Sequence, residues 1–224
     1  MNLERTELLI GQQGIETLKS KFVTIVGVGG VGGAAAHMLT RAGIGKIRLV
    51  DFDKVDSSNI NRQFVAFEDT IGKPKVEVLK NELLRINSDL EIEIFNEKLT
   101  QSNVRKIIMP CDMVVDAIDS VKDKVALIEY CKKNSIEIIS AMGAGNRWDI
   151  PHFQKTDIFK THDDGLAKAV RKQLREKGIK SLDVVTCESK AVAKGGTVGS
   201  ISYYPAMCGI TLSAVIVNKF LEKN

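Results

Sequence analysis

Short apolar runs alternate with amphipathic stretches along most of the chain. Residues 22–27, with Phe22, Val23, Ile25 and Val26, form a β-branched run that closes on glycines, and residues 34–43 carry a helical pattern stopped by Gly43. Residues 47–51 predict the next strand. These three pieces make a β-α-β unit, whose strands should be parallel, right-handed in their crossover and covered by helices on both faces. The alternation continues with a helix over 75–87, a strand over 92–95, a helix over 101–108, a buried strand over 113–118, a helix over 121–133 and a strand over 137–141. Ahead of it, Leu8, Leu9, Ile15 and Leu18 recur among polar neighbours and predict short helices. The predicted fold class is α/β, a doubly wound and mostly parallel sheet of the Rossmann-like kind.

After residues 143–145 the pattern becomes irregular and polar, apart from a helical segment over 164–176. Residues 146–199 read as an insertion or lid over a single domain spanning 1–224, and no second core is needed. The apolar stretch 207–221 is interrupted by Thr211, Ser213, Asn218 and Lys219 and falls short of the ~20 residues of a membrane span, so it predicts a packed helix and no membrane contact.

Composition changes this picture little. The 224 residues are 44% hydrophobic and 27% charged, and a net charge of +4 permits a nucleic-acid partner without demanding one. Cys111, Cys131, Cys187 and Cys208 form no CxxC pair, so neither a structural zinc nor a dithiol motif is expected. Their scatter and the absence of an apolar leader fit a cytoplasmic protein. Cys131 and Cys208 lie in apolar helical patterns and read as core residues, while Cys187 has polar neighbours and is a weak nucleophile candidate. His37, His152 and His162 have no ligand spacing, and Trp148 reads as a packing residue at a hinge rather than a base-stacking platform.

The chemistry concentrates after the first strand. Gly27, Gly29 and Gly32, with Gly30 among them, satisfy GxGxxG between a strand and a helix, where bare backbone approaches phosphate and the helix N-terminus favours negative charge. Asp51 ends the second strand, where an acid accepts hydrogen bonds from ribose hydroxyls, and that alone would suit NAD. The cluster that follows, Asp53, Asn59, Asn61, Arg62, Gln63 and Lys75, suits a triphosphate better. Arg62 and Lys75 can neutralise phosphate oxygens, and Asp119, just past the strand over 113–118, can hold Mg²⁺ at the carboxyl edge of the sheet.

Taken in order, the glycine turn, Asp51-Phe52-Asp53, Asn59-Ile60-Asn61-Arg62-Gln63, Gly72-Lys73-Pro74-Lys75 and Asp116-Ala117-Ile118-Asp119-Ser120 resemble the adenylation domain of the ThiF/MoeB/ubiquitin-activating superfamily over most of the chain. The resemblance implies ATP and Mg²⁺ as cofactors, Asp51 on the ribose, Asn59, Arg62 and Lys75 on the phosphates, and Asp119 on the metal. It also implies a homodimer in which Arg5 reaches the partner's ATP; without the resemblance Arg5 reads as a solvated terminal residue. A carboxylate attacking the α-phosphate needs no general base, and the cations Arg62, Lys75 and Arg5 offset the repulsion between anions.

Closer similarity lies in residues 5–11, 140–146, 156–161 and 166–171, which resemble the tRNA threonylcarbamoyladenosine dehydratases, enzymes that activate the carboxylate of a modified adenosine beside the anticodon and cyclise it. The alternative is a sulfur-carrier activator, whose partner would be a ubiquitin-like protein. In the helical segment Leu166, Val170 and Leu174 should face inward, while Lys168, Arg171, Lys172 and Arg175 form a basic stripe able to meet tRNA phosphates. Lys177, Lys180, Lys190 and Lys194 add charge nearby.

Overall fold

In a computed structural model of the protein, which describes residues 1–108, 110–192 and 198–222, the predicted alternation resolves into one sheet. Helix α1 (Glu4–Lys19) is broken at Gly11, where φ is 70°, into two short pieces, as the sparse apolar pattern predicts. There follow β1 (Phe22–Val26), α2 (Gly30–Ala42), β2 (Lys46–Val50), α3 (Lys75–Ile86), β3 (Glu91–Phe95), α4 (Val104–Ile108), β4 (Met113–Asp116), α5 (Val121–Lys133) and β5 (Ile138–Ala141). The chain ends with β6 (Phe153–Asp157), α6 (Gly165–Glu176), β7 (Asp183–Cys187) and α7 (Tyr203–Leu221).

The strand order is β3-β2-β1-β4-β5-β7-β6. Every neighbouring pair is parallel except β6 with β7. Because side chains alternate across a strand, successive residues feed two cores. Val23, Ile25, Met113 and Val115 pack with Leu39, Leu79, Leu83, Leu212 and Ile216 on the face covered by α2, α3 and α7. Val26, Val50 and Val114 pack with Ile107, Ile128 and Leu174 on the face covered by α4, α5 and α6. This is the doubly wound α/β arrangement the sequence predicts.

Two expectations change. Residues 146–199 are not only a lid, because β6 and β7 extend the sheet and β7 is buried along most of its length. β6 escapes the apolar pattern because it is the edge strand, where Gln154 and Lys155 face solvent and discourage further pairing. The last helix also begins earlier than predicted, at Tyr203. Its 19 residues, with a mean hydropathy of 1.3, reach the length and composition of a membrane span, yet half of that stretch is buried inside the protein. Ser213 in α7 donates to the carbonyl of Ala35 in α2 at 3.2 Å, and Leu212, Ile216 and Phe220 enter the core, so α7 is a packed helix.

Candidate functional site

The strand order reverses between β1 and β4, and a cleft of about 580 Å³ opens there at the carboxyl ends of the strands. Gly27, Gly29, Gly30, Asp51, Asp53, Asn59, Arg62, Gln63, Lys75 and Asp119 all line it. Gly32 does not line the cleft; it shapes the turn. A β-carbon on Gly32 would lie 1.8 Å from the Gly27 carbonyl, and Gly27 itself has φ 86° with the Ala117 carbonyl 2.7 Å from where its β-carbon would be. Both positions demand glycine. The turn leads into the N-terminus of α2, the electropositive end of that helix.

Asp51 is fixed by the loops it joins. Its Oδ2 accepts from Val28 N at 2.7 Å and its Oδ1 from Asp53 N at 2.9 Å, so the carboxylate braces the glycine turn while facing the cleft. Lys75 opens α3 and is only 5% exposed, and its Nζ pairs with Asp53 at 3.0 Å. Asn59 is buried in a capping box with Asp56. Arg62 donates to Ser58 O at 2.6 Å and Asn61 Oδ1 at 2.7 Å, both neutral acceptors, so its contacts among the described residues leave its charge uncompensated. Gln63 Oε1 is buried with no partner among the described residues, an acceptor awaiting a donor on the cleft wall. Asp119 is exposed at the cleft rim. Its donor set, one free carboxylate beside open space, fits Mg²⁺, which takes one or two carboxylates and otherwise phosphate oxygens and water. Arg5 sits in the first turn of α1, exposed and away from this cleft.

Other groups were not foreseen. Lys124 is fully buried, and its Nζ donates to Asp116 Oδ2 at 2.8 Å and to Ala141 O at 3.1 Å. It ties the ends of β4 and β5 together beneath the loop that carries Asp119. The signal was a lysine at a helix position, between Val121 and Ile128, where the apolar stripe calls for a hydrophobe. Lys98 and Phe52 also line the cleft, with Lys98 Nζ 5.7 Å from the Phe52 ring centroid and 3.1 Å from Asp123.

In α6, Val170 and Leu174 are buried and Leu166 packs at the core margin, while Lys168, Lys172 and Arg175 are exposed, with Arg175 5.5 Å from the Phe159 ring. Arg171 departs from the expected stripe. Its Nη1 donates to the carbonyls of Thr161 at 2.7 Å and Ile158 at 3.1 Å and to the Thr161 hydroxyl, so it ties α6 to the turn before it. Lys177 is paired with Glu129 at 2.5 Å; Lys180 and Lys190 are exposed, and Lys194 lies outside the described residues. Cys187 has the polar neighbour expected of it but no access to solvent. It is 1% exposed with Sγ 3.3 Å from the Tyr204 hydroxyl, so the thiol is not presented to solvent. Burial pushes the Cys131 and Cys208 thiols up to about 12, in keeping with core roles.

Comparison with known proteins decides the family. The model of the ThiF family matches residues 3–223. The chain belongs to the ThiF family. A tRNA threonylcarbamoyladenosine dehydratase of Bacillus subtilis is 45% identical over 79% of this chain and 70% of its own length. Crystal structures of the Escherichia coli tRNA N6-threonylcarbamoyladenosine dehydratase superpose with TM-scores of 0.94 in complex with AMP and 0.92 in complex with ATP, at 32% and 33% identity, covering 98% of this chain and 93% of theirs. The molybdopterin-synthase adenylyltransferase of Escherichia coli is 38% identical over 57% of this chain and 51% of its own length. The resemblance drawn from the motifs therefore holds at the level of the family.

Proposed function

We propose that the chain uses ATP to adenylate the carboxylate of N6-threonylcarbamoyladenosine in tRNA and then closes the ring with loss of AMP. The observation that carries this reading is the near-complete superposition on a dehydratase whose structures hold ATP and AMP, together with a cleft lined by the matching motif residues.

One carboxylate oxygen attacks the α-phosphorus and pyrophosphate leaves, giving a mixed anhydride. A nitrogen or oxygen of the carbamoyl group then attacks the acyl carbon, the bond to the bridging oxygen breaks, and AMP departs with that oxygen while the attacking group loses its proton. Backbone amides of the glycine turn and the cations Lys75 and Arg62 hold the phosphates, Asp51 orients the ribose, and the unpartnered Gln63 Oε1 accepts a nucleotide donor. Asp119 would hold a Mg²⁺ that neutralises charge on the leaving pyrophosphate. No protein nucleophile is needed, which agrees with a buried Cys187.

Arg5 acts on the ATP of a second copy. Leu8 and Leu9, on the same helix, are 82% and 85% exposed, and Met207 and Ile210 are exposed on α7, apolar surface that contact between two copies would cover. Mixing Arg5→Ala with Asp119→Ala protein tests this: if Arg5 works across the interface, exchange restores about a quarter of the sites, and mixing restores nothing if it works within its own chain.

Release of AMP from ATP in the presence of threonylcarbamoylated tRNA, with conversion to the cyclic nucleoside and none with unmodified tRNA, is the expected result. Pyrophosphate exchange driven by a sulfur-carrier C-terminus and indifferent to tRNA would replace this reading with the other adenylation chemistry of the family. A tRNA substrate would place the protein in the cytoplasm.

A further inference from the structure

Trp148 does not pack at a hinge. Its residue is 66% exposed, yet the backbone around it is fastened on every side. Arg147, 6% exposed, donates to Ser189 O at 2.6 Å, Gly143 O at 2.7 Å and Asp163 O at 3.1 Å. Asp149 accepts from Ser189 Oγ at 2.5 Å and from the Tyr204 hydroxyl at 3.2 Å, and the Tyr203 hydroxyl donates to the carbonyl of Trp148 itself. A large indole left in water on a fastened backbone is a costly arrangement for a monomer and a useful one for a ligand.

Its position says which ligand. Tyr203 stands two residues before Pro205, which lines the ATP cleft, and Asn61, beside the cleft residues Arg62 and Gln63, donates to Ser200 O at 3.0 Å. Gly199 is bonded to Asn146 at 2.6 Å, which joins that rim to the loop carrying Trp148. The same loop is tied to the basic helix, because Asp164 caps α6 and accepts from Gly143 N at 2.7 Å. Exposed Ile150 widens the apolar surface, and exposed Lys190, next to Ser189, supplies a cation.

We propose that Trp148 is a stacking platform for an unpaired base next to the modified adenosine, presented at the mouth of the cleft as that nucleotide enters; the inference rests on the tRNA reading above. A reacting carboxylate carried on a base in a single-stranded loop brings neighbouring bases to the rim, and an indole face accepts any of them.

Trp148 is the only tryptophan, so indole emission arises from this position alone. A tRNA anticodon stem-loop carrying threonylcarbamoyladenosine should quench that emission saturably. Trp148→Ala should raise KM for the stem-loop roughly tenfold, as loss of one base–aromatic stack predicts, with kcat and KM for ATP unchanged and Trp148→Phe recovering most of the affinity. If wild type releases AMP from the stem-loop while emission is unmoved and Trp148→Ala is indistinguishable from wild type, the platform is wrong and the substrate reading stands. If wild type releases no AMP with the modified stem-loop, both fall. An emission change on simple dilution without RNA would mean that the indole faces a second copy, which overturns the proposal.

Discussion

The two ends of the sheet solve different problems. Around β1, β2 and β4 the groups proposed to bind nucleotide are backbone amides and buried or braced side chains: Lys75 is 5% exposed, Asn59 8%, and Asp51 is tied to two amides. Beyond β5 the corresponding groups, Trp148, Lys168, Lys172 and Arg175, stand in solvent on a rigid frame. A small anion needs a fixed cradle, whereas a polymer is held by many exposed contacts that are individually replaceable. The first end should therefore fail abruptly under substitution and the second gradually.

The sharpest break should come from Lys124→Met. Leaving Asp116 buried and unpaired costs about 3–5 kcal/mol, seen as a lower urea midpoint with an unchanged slope, whereas Lys168→Met on the exposed face of α6 should move stability by no more than about 0.5 kcal/mol. Adding Asp116→Asn to Lys124→Met should recover part of the loss, because the orphaned charge is then gone. Equal effects at Lys124 and Lys168 would dissolve the contrast.

Asp119→Ala comes next. AMP formation should fall about a hundred- to a thousandfold while affinity for modified tRNA, read by filter binding, stays within about twofold, because the residue lines the cleft proposed for the nucleotide and lies outside the basic helix proposed for RNA. Parallel losses in both assays would mean that the nucleotide and RNA sites are not separable.

The same contrast governs what could be read beforehand. That the glycine turn, Asp51, Arg62, Lys75 and Asp119 would meet in one cleft was legible because each sits at or just beyond the carboxyl end of a predicted strand or in the loop that follows it. Strand β7 was missed although Val184 and Val185 are buried, since a five-residue run between polar loops gives little periodicity, and β6 was missed because an edge strand exposes polar side chains. Arg171 was misassigned for a related reason. On a helical wheel it belongs with Lys168 and Arg175, and only the approach of the turn at 158–161 shows that its guanidinium serves two carbonyls of the chain itself. Trp148 was misjudged because exposure of a lone aromatic residue depends on tertiary contacts that no local pattern encodes.

The smallest effects should separate Arg171 from its neighbours. Lys168→Glu with Lys172→Glu should weaken tRNA binding and lower the slope of log affinity against log salt by roughly one to two, the mark of lost phosphate contacts, with unfolding unchanged. Arg171→Ala should do the reverse. Removing charged hydrogen bonds to the Thr161 and Ile158 carbonyls should cost about 1–2 kcal/mol of stability, because those acceptors lose their partner, while the salt slope stays at the wild-type value. If Arg171→Ala instead lowers the salt slope without touching stability, its guanidinium leaves the turn to meet RNA, and the basic stripe read from the helix spacing is the correct description of α6.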